Sequence, residues 1–140
     1  MIVLDTDHAS ALGYPESDRC KRLLARLGAV GDEVVAVTCV TVEEQMRGWL
    51  AAIAKERRPK RQVAAYREFT QLWAFFGHFT ILPFTDPAAD LVEGWGGIRI
   101  GTMDKKIAAM VLSSGSLLLT ANRRDYALIP GLRFENWMGG

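Results

Sequence analysis

Acidic side chains recur where apolar segments of this sequence end or where helical patterns begin: Asp5, Asp7, Glu44, Asp104 and Asp125. Carboxylates that meet in one cleft repel each other, so a cation or protons must neutralise them. Mg²⁺ prefers oxygen ligands and keeps several of its waters, so a few carboxylates and a substrate phosphate suffice to bind it. If folding brings these acids together, we expect them to form a divalent-metal site.

The histidines and cysteines of the sequence do not favour a second kind of reactive or metal site. His8 and His78 are the only two histidines, and Cys20 and Cys39 lie far apart without CxxC spacing, so a zinc site is not favoured. The two cysteines are typical of small buried residues in a reducing cytosol. His78 lies beside aromatic residues and is predicted to pack rather than to react.

Four of the acids also have purely structural interpretations. An aspartate after a strand is often a helix cap, and for Asp5 the two roles are equally supported. We assign the cap to Asp7, which leaves Asp5 free to bind metal. Asp104 near a helix N-terminus is stabilised by the helix dipole, by about 0.3–1 kcal/mol. Asp125 fits the cap of a short turn.

Glu44 has the strongest structural alternative. Thr41-x-x-Glu44 fits a capping box, in which the glutamate accepts a hydrogen bond from the backbone N–H of the cap residue. Glu43 is the adjacent candidate ligand, but it points about 100° around the helix from Glu44. Only one of the two can face a given site, and Arg47 is available to pair with a nearby acid.

The elements that must position these acids alternate between strands and helices. Short apolar or β-branched segments predict strands at residues 2–4, 34–37, 79–82, 117–119 and, at an edge, 132–134. With helices between them, they predict an α/β fold: a single domain over residues 1–140, with an open, mostly parallel sheet of four to five strands flanked by helices. Ligands bind beyond the carboxyl ends of such strands, where Asp5, Asn122 and Asp125 fall.

The helical segments carry their own signals. One helix is predicted from Thr41 toward Ile53, and Pro59 separates it from a long helix with apolar residues at three- and four-residue spacing. This stripe is predicted to be core: Val63, Tyr66, Phe69, Leu72, Trp73 and Phe76. Asp86 before a proline is predicted to cap the next helix. The following glycines lack GxGxxG spacing, which excludes a dinucleotide fold.

Composition sets broad limits on function. Seventeen Lys and Arg against sixteen Asp and Glu give a net charge of +1, which does not by itself indicate a nucleic-acid binder. The densest basic segment, residues 55–61, fits a solvated loop as well as an RNA contact. No signal peptide and no membrane-spanning segment is evident, so we expect a soluble, cytoplasmic protein that does not bind membranes.

In order and local context, the acids resemble the acidic quartet of PIN-domain ribonucleases, and in particular the VapC toxins of toxin–antitoxin pairs. The resemblance covers nearly the whole chain, and it selects Glu44 over Glu43 because the family's second acid stands four residues before a glycine. It rests on four short motifs: Ile2-Val3-Leu4-Asp5-Thr6-Asp7, Thr41-Val42-Glu43-Glu44-Gln45-Met46-Arg47-Gly48, Ile100-Gly101-Thr102-Met103-Asp104-Lys105-Lys106-Ile107-Ala108-Ala109 and Leu118-Leu119-Thr120-Ala121-Asn122-Arg123-Arg124-Asp125-Tyr126.

The resemblance implies hydrolysis of RNA phosphodiester bonds assisted by Mg²⁺ or Mn²⁺. The implied catalytic and metal-binding residues are Asp5, Glu44, Asp104 and Asp125. The implied supporting residues are Thr6, Thr120 and Asn122, and Arg123 and Arg124 are candidates to bind RNA. Lys105 and Lys106 depart from the family pattern, because the family often has an apolar residue in at least one of these positions. They are candidates to contact RNA phosphate or to be solvated, and their positive charge beside Asp104 disfavours a bound cation.

The resemblance also implies protein partners. A toxin of this kind pairs with a VapB-like antitoxin, and homodimerisation is expected. Apolar helical surfaces in the first half of the chain, including Trp49 and Leu50, are candidates to accept a partner helix. An arginine from that partner would compete with metal for the acids.

Two alternatives remain open from the sequence. Asp5-Thr6-Asp7 after an apolar strand also resembles haloacid-dehalogenase-type phosphatases, in which the first aspartate is the nucleophile; that reaction needs a separate lysine and paired late aspartates. The other alternative is a non-catalytic domain that binds RNA or protein, in which the acids are only helix caps. The sequence names neither the RNA nor the number of ions.

Overall fold

The computed structural model describes residues 1–139, and five parallel strands form its central sheet in the order β3-β2-β1-β4-β5. The strands are β1 (Ile2–Leu4), β2 (Val35–Thr38), β3 (Thr80–Leu82), β4 (Leu117–Leu119) and β5 (Phe134–Glu135). The predicted parallel α/β sheet is confirmed, with strand ends that differ by one or two residues from those expected.

Helices cover both faces of this sheet. They are α1 (Thr6–Ala11), α2 (Asp18–Ala29), α3 (Cys39–Lys55), α4 (Pro59–Phe76), α5 (Asp86–Gly94), α6 (Thr102–Ser113) and α7 (Arg123–Tyr126). Successive side chains of a strand point to opposite faces, so Val3 packs into the cluster that contains α6, whereas Ile2 and Leu4 pack with Leu23 of α2. Burial on both faces explains why β1 and β4 are apolar without alternation.

The strand order places the acids at the point where the chain changes direction. From β1 the chain builds β2 and β3 on one side, and it then returns to form β4 and β5 on the other. Crevices beyond the carboxyl ends of strands form where connections diverge in this way. Asp5 follows β1 and Thr120 follows β4, and the backbone N–H of Asp5 donates to the carbonyl of Leu119 at 2.9 Å.

The start of α3 corrects the predicted capping box. The helix begins at Cys39, directly after β2, and Thr38 is its cap, with the Thr38 hydroxyl accepting from the backbone N–H of Thr41 at 3.1 Å. Thr41 is therefore inside the helix, and Glu44 lies beyond the first turn, where it has no capping role. A similar shift occurs in α5, which Thr85 caps in place of Asp86.

The prediction that the α4 stripe is core is wrong for half of its residues. Val63, Tyr66 and Trp73 are 52%, 51% and 58% exposed, and only Phe76 is fully buried. The reason is that α4 packs mainly against α3, so most of its apolar side lies outside the layer that covers the sheet. Helical periodicity shows that a helix has an apolar face, but it does not show what covers that face.

The cysteines, His78 and the hydropathy of the helices were also subjects of prediction from the sequence. Cys20 is buried and Cys39 half-buried, and both are free thiols. His78 is exposed, so the prediction that it packs among aromatic residues is wrong: it lies in the turn after α4. Within residues 1–139, no helix combines the length and the hydropathy that crossing a bilayer requires.

Candidate active site

Asp5 is a buried carboxylate at the centre of the cleft, with 7% of its surface exposed. It caps α1, accepting from the backbone N–H of Thr6 at 2.9 Å and from the Thr120 hydroxyl at 2.7 Å. The assignment of the cap to Asp7 is therefore wrong. Burial raises the pKa of Asp5 to about 6; the Thr120 hydrogen bond opposes this rise, and the nearby charges of Asp7 and Asp104 add to it.

Glu44 reaches the same cleft from α3. Its carboxylate is half-buried, and its pKa is raised by burial and then by the charges of Asp104 and Asp5. Glu43 instead pairs with Arg47 at 2.6 Å, one helical turn further along α3. The two adjacent glutamates therefore face different surroundings: Glu44 is near the other acids, and Glu43 is paired with an arginine.

Asp104 lies in the first turn of α6, two residues after the helix begins. One of its oxygens accepts from the Tyr126 hydroxyl at 3.3 Å, and the other accepts from the Asn122 side-chain amide at 3.4 Å. Burial raises the pKa of Asp104; the Tyr126 hydrogen bond lowers it, and the charge of Asp125 raises it again. Tyr126 is itself fully buried, and burial together with the acids raises its pKa, so it remains a neutral donor.

Asn122 connects the fourth acid to this group. Its side-chain amide donates to Asp125 at 3.3 Å as well as to Asp104, and its backbone N–H donates to the Thr120 hydroxyl at 3.0 Å. The predicted supporting residues Thr120 and Asn122 therefore contact the predicted acids. The Thr6 hydroxyl does not contact an acid; it donates to the Thr41 hydroxyl at 3.4 Å.

The charge in this cleft has no protein counter-ion. None of the ion pairs among residues 1–139 includes Asp5, Glu44, Asp104 or Asp125. The donors that contact the acids are neutral hydroxyl, amide and backbone groups, and a set of carboxylate oxygens suits Mg²⁺ or Mn²⁺. In the described part of the chain, however, no three His, Cys, Asp or Glu side chains are grouped closely enough to enclose an ion as they stand.

The two lysines that depart from the family pattern are engaged elsewhere. Lys105 donates to the backbone carbonyl of Trp95 at 2.9 Å. The Lys106 ammonium lies 5.9 Å from the centre of the Phe84 ring, a weak cation–π contact. Neither forms an ion pair with Asp104. The effect of these two charges on a cation stays a prediction.

A hydrogen-bonded chain behind the cleft was not predicted. His8 is fully buried, and its Nε2 accepts from the backbone N–H of Trp137 at 3.1 Å, so its proton is on Nδ1. That nitrogen donates to Asp7 at 2.7 Å, and the other Asp7 oxygen accepts from the backbone N–H of Ala121 at 2.9 Å. Burial alone would raise the pKa of Asp7, but these hydrogen bonds outweigh it and lower the pKa. Asp7 therefore holds the loop that carries Asn122.

We expect His8→Ala to destabilise the protein by about 2–4 kcal/mol, because it leaves a cavity and an unpaired buried N–H at Trp137. His78→Ala is the matched control, since His78 is exposed, and its effect should stay within about 0.5 kcal/mol. Urea denaturation at pH 7.5 measures both. Equal stability of the two variants would contradict the described role of His8.

The fold recurs in solved structures of toxin–antitoxin systems. A chain of VapBC-1 from nontypeable Haemophilus influenzae aligns with a TM-score of 0.74 and 20% identity over 99% of this chain and 100% of that one. A chain of VapBC2 from Rickettsia felis, bound to a promoter DNA fragment, gives a TM-score of 0.68 and 20% identity over 98% and 99%. A chain of FitAcB from Neisseria gonorrhoeae gives 0.67 and 22% over 97% of each chain.

Identities this low establish the fold and leave the activity open. No family model matches the chain, and no curated protein matches it. The parallel α/β fold that the four motifs imply is confirmed by the structure, and these neighbours share it.

Proposed function

We propose that this chain is a PIN-type ribonuclease that depends on Mg²⁺ or Mn²⁺ and acts as the toxin of a VapBC-type toxin–antitoxin pair. One observation carries the proposal. Carboxylates from separate parts of the chain lie near one another beyond β1 and β4, and none of the four forms an ion pair within residues 1–139. The pKa values of Asp5, Glu44 and Asp104 are raised, in part by the charges of neighbouring acids. Carboxylates with a purely structural role would destabilise the fold by repelling each other in this way, whereas a cation between them would relieve the repulsion.

Each acid has a role in this proposal. Asp5, Glu44 and Asp104 hold the ion directly or through water, and Asp125 completes the site. A bound Mg²⁺ or Mn²⁺ lowers the pKa of water and polarises a phosphate, which is the chemistry that phosphodiester hydrolysis requires. Thr120 fixes Asp5 by the 2.7 Å hydrogen bond.

Neighbouring residues orient the acids and bind the substrate. Asn122 and Tyr126 fix the two oxygens of Asp104. Arg123 and Arg124 are exposed at the start of α7, next to Asn122, and in this proposal they contact RNA phosphates.

The proposal includes an antitoxin and a second copy of the chain as partners. Solved structures with this fold include toxin–antitoxin complexes. The helical hairpin of α3 and α4 exposes large apolar side chains that suit an apolar partner helix, namely Leu50, Val63, Tyr66 and Trp73. An arginine of that partner would find an uncompensated acidic cleft.

The phosphatase alternative gains no support from the site. It requires a lysine beside the nucleophile, and both Lys105 and Lys106 make other contacts. The RNA-cleavage experiment below distinguishes the ribonuclease from a non-catalytic domain.

The test incubates purified protein with total RNA in Mn²⁺ and maps new 5′ ends, with Asp104→Asn as the inactive comparison. We expect discrete fragments with 5′-phosphates from the wild type only, and none in excess EDTA. Wild-type cleavage that survives EDTA, or the same fragments from Asp104→Asn, would contradict the proposal. No cleavage by either protein would favour a non-catalytic domain.

A further inference from the structure

A cavity of about 360 Å³ lies between α1, α3 and α4, and we call it the α1–α3–α4 cavity. This volume is within the range of about 300–1,000 Å³ that is typical of small-molecule sites. Its lining mixes aromatic, amide and hydroxyl groups: Thr6, Ala9, Ser10, Gly13, Tyr14, Thr41, Gln45, Trp49, Glu68, Gln71, Leu72, Phe75 and Phe76.

Aromatic side chains form much of the wall. Thr41, Gln45 and Trp49 are spaced four residues apart on α3 and so share one face of that helix, while Phe75 enters from α4. Tyr14, 70% exposed, stands among the lining residues after α1. Aromatic side chains are the surfaces on which proteins stack the unpaired bases of RNA.

The polar groups of the cavity suit a neutral ring with polar edges. The amides of Gln45 and Gln71 each offer donors and an acceptor, and the Ser10 hydroxyl offers both. The lining includes no Lys or Arg, and it includes the carboxylate of Glu68, so a phosphate would be repelled there. The cavity therefore matches a nucleobase better than the charged backbone of a nucleic acid.

Two residues of the cavity lie close to the acids in the chain. Thr6 and Thr41 line the cavity and are hydrogen-bonded to each other; Thr6 follows Asp5, and Thr41 lies three residues before Glu44 on α3. The strand order puts the cavity on the β2 side of β1 and the exposed Arg123 on the β4 side. A strand that crosses the acids would thus have basic side chains on one side and an aromatic-lined cavity on the other.

We propose that the α1–α3–α4 cavity takes one unstacked nucleobase of a single-stranded RNA substrate, next to the phosphate that is cleaved. The inference rests on the proposed ribonuclease function and adds a determinant of its specificity. The cavity makes cleavage depend on the identity of one base beside the cut, because only that base is both stacked and hydrogen-bonded by the protein.

The test measures cleavage of a randomised RNA oligonucleotide in Mn²⁺ by the wild type, Trp49→Ala, Gln45→Ala and the control Leu24→Ala. Leu24 lies on α2, is 50% exposed and does not line the cavity. We expect Trp49→Ala to lower kcat/KM by about tenfold or more and to flatten the preference at one position beside the cut. Gln45→Ala should change which base is preferred there, and Leu24→Ala should behave as the wild type.

An abasic substrate extends the test to the unaltered protein. Removing the base at the preferred position should lower wild-type cleavage about as much as Trp49→Ala does, and the two changes together should add little to either alone. This measurement stays informative even if Trp49→Ala fails to fold.

The outcomes separate the two proposals. If the wild type cleaves RNA but neither the cavity variants nor the abasic substrate changes rate or base preference, the cavity inference is overturned and the ribonuclease proposal stands. If the wild type cleaves no RNA, both proposals fail. If the cavity variants weaken only the binding of a partner protein's helix, the cavity receives protein, which also overturns the inference.

Discussion

Glu44→Gln is expected to lower RNA cleavage by about a thousandfold or more, whereas Glu43→Gln leaves it within about twofold. Glu44 lies near Asp104 and Asp5, and the amide would remove an anionic ligand of the proposed ion. Metal stabilisation of a phosphoryl transition state is worth several kcal/mol, and each 1.36 kcal/mol is tenfold in rate. Measurement of kcat/KM in Mn²⁺, on an oligonucleotide that spans a mapped cleavage site, gives both values.

Glu43→Gln is a matched control for Glu44→Gln, because the two glutamates are adjacent. Glu43→Gln removes the same charge from the same helix, but Glu43 pairs with Arg47 across a surface where such pairs contribute little. Equal losses in the two variants would show that overall charge, and not the cleft geometry, controls the activity. A larger loss in Glu43→Gln would contradict the assignment of Glu44.

Asp5→Asn is expected to stabilise the metal-free protein at pH 8 and to destabilise it slightly at pH 4. The folded protein raises the pKa of Asp5 from 3.8 to about 6. The folded state therefore binds the proton more tightly than the unfolded state, and stability falls as the pH rises from about 4 to 6. Above about pH 6, the ionised carboxylate of Asp5 lowers the free energy of unfolding by about 3 kcal/mol. The neutral amide of asparagine does not have this effect.

The amide also loses an interaction, which sets the expected net effect. The two Asp5 oxygens accept from Thr6 and Thr120, and an amide has only one oxygen, so about 1 kcal/mol is lost. We therefore expect a gain of about 1–2 kcal/mol at pH 8 and a loss of about 1 kcal/mol at pH 4.

Urea denaturation in EDTA at the two pH values measures this reversal. Asp90→Asn on the exposed face of α5 is the control, with effects within about 0.5 kcal/mol at both. A variant that is less stable than the wild type at pH 8 would mean that the fold already compensates the charge of Asp5.

The sequence predicted the sheet, and the acids that lie beyond its strands, because both depend on local signals. A buried parallel strand is apolar on both faces, which makes Ile2–Leu4 and Leu117–Leu119 visible without any knowledge of their partners. Acids directly after such strands must fall on one edge of the sheet. The spacing of Glu44 from Gly48 then favoured the glutamate whose pKa the charges of Asp104 and Asp5 raise.

The features that the sequence did not reveal depend on contacts between distant residues. Because α4 packs mainly against α3, Tyr66 and Trp73 are exposed, and no sequence pattern within α4 indicates this. His8 is fixed by the backbone of Trp137, 129 residues away. The capping roles of Thr38 and Asp5 depend on where strands end, and strand ends shift by a residue or two without any change in pattern.

If these carboxylates share a divalent cation, the protein must bind Mn²⁺ at pH 7.5. The EPR signal of the free ion measures this binding most directly. We predict that the wild type and Glu43→Gln bind Mn²⁺ with the same affinity, and that Glu44→Gln and Asp104→Asn each bind it at least tenfold more weakly, in line with the loss of one charged ligand. Equal Mn²⁺ affinity in all four proteins, or no binding by the wild type, would contradict the account.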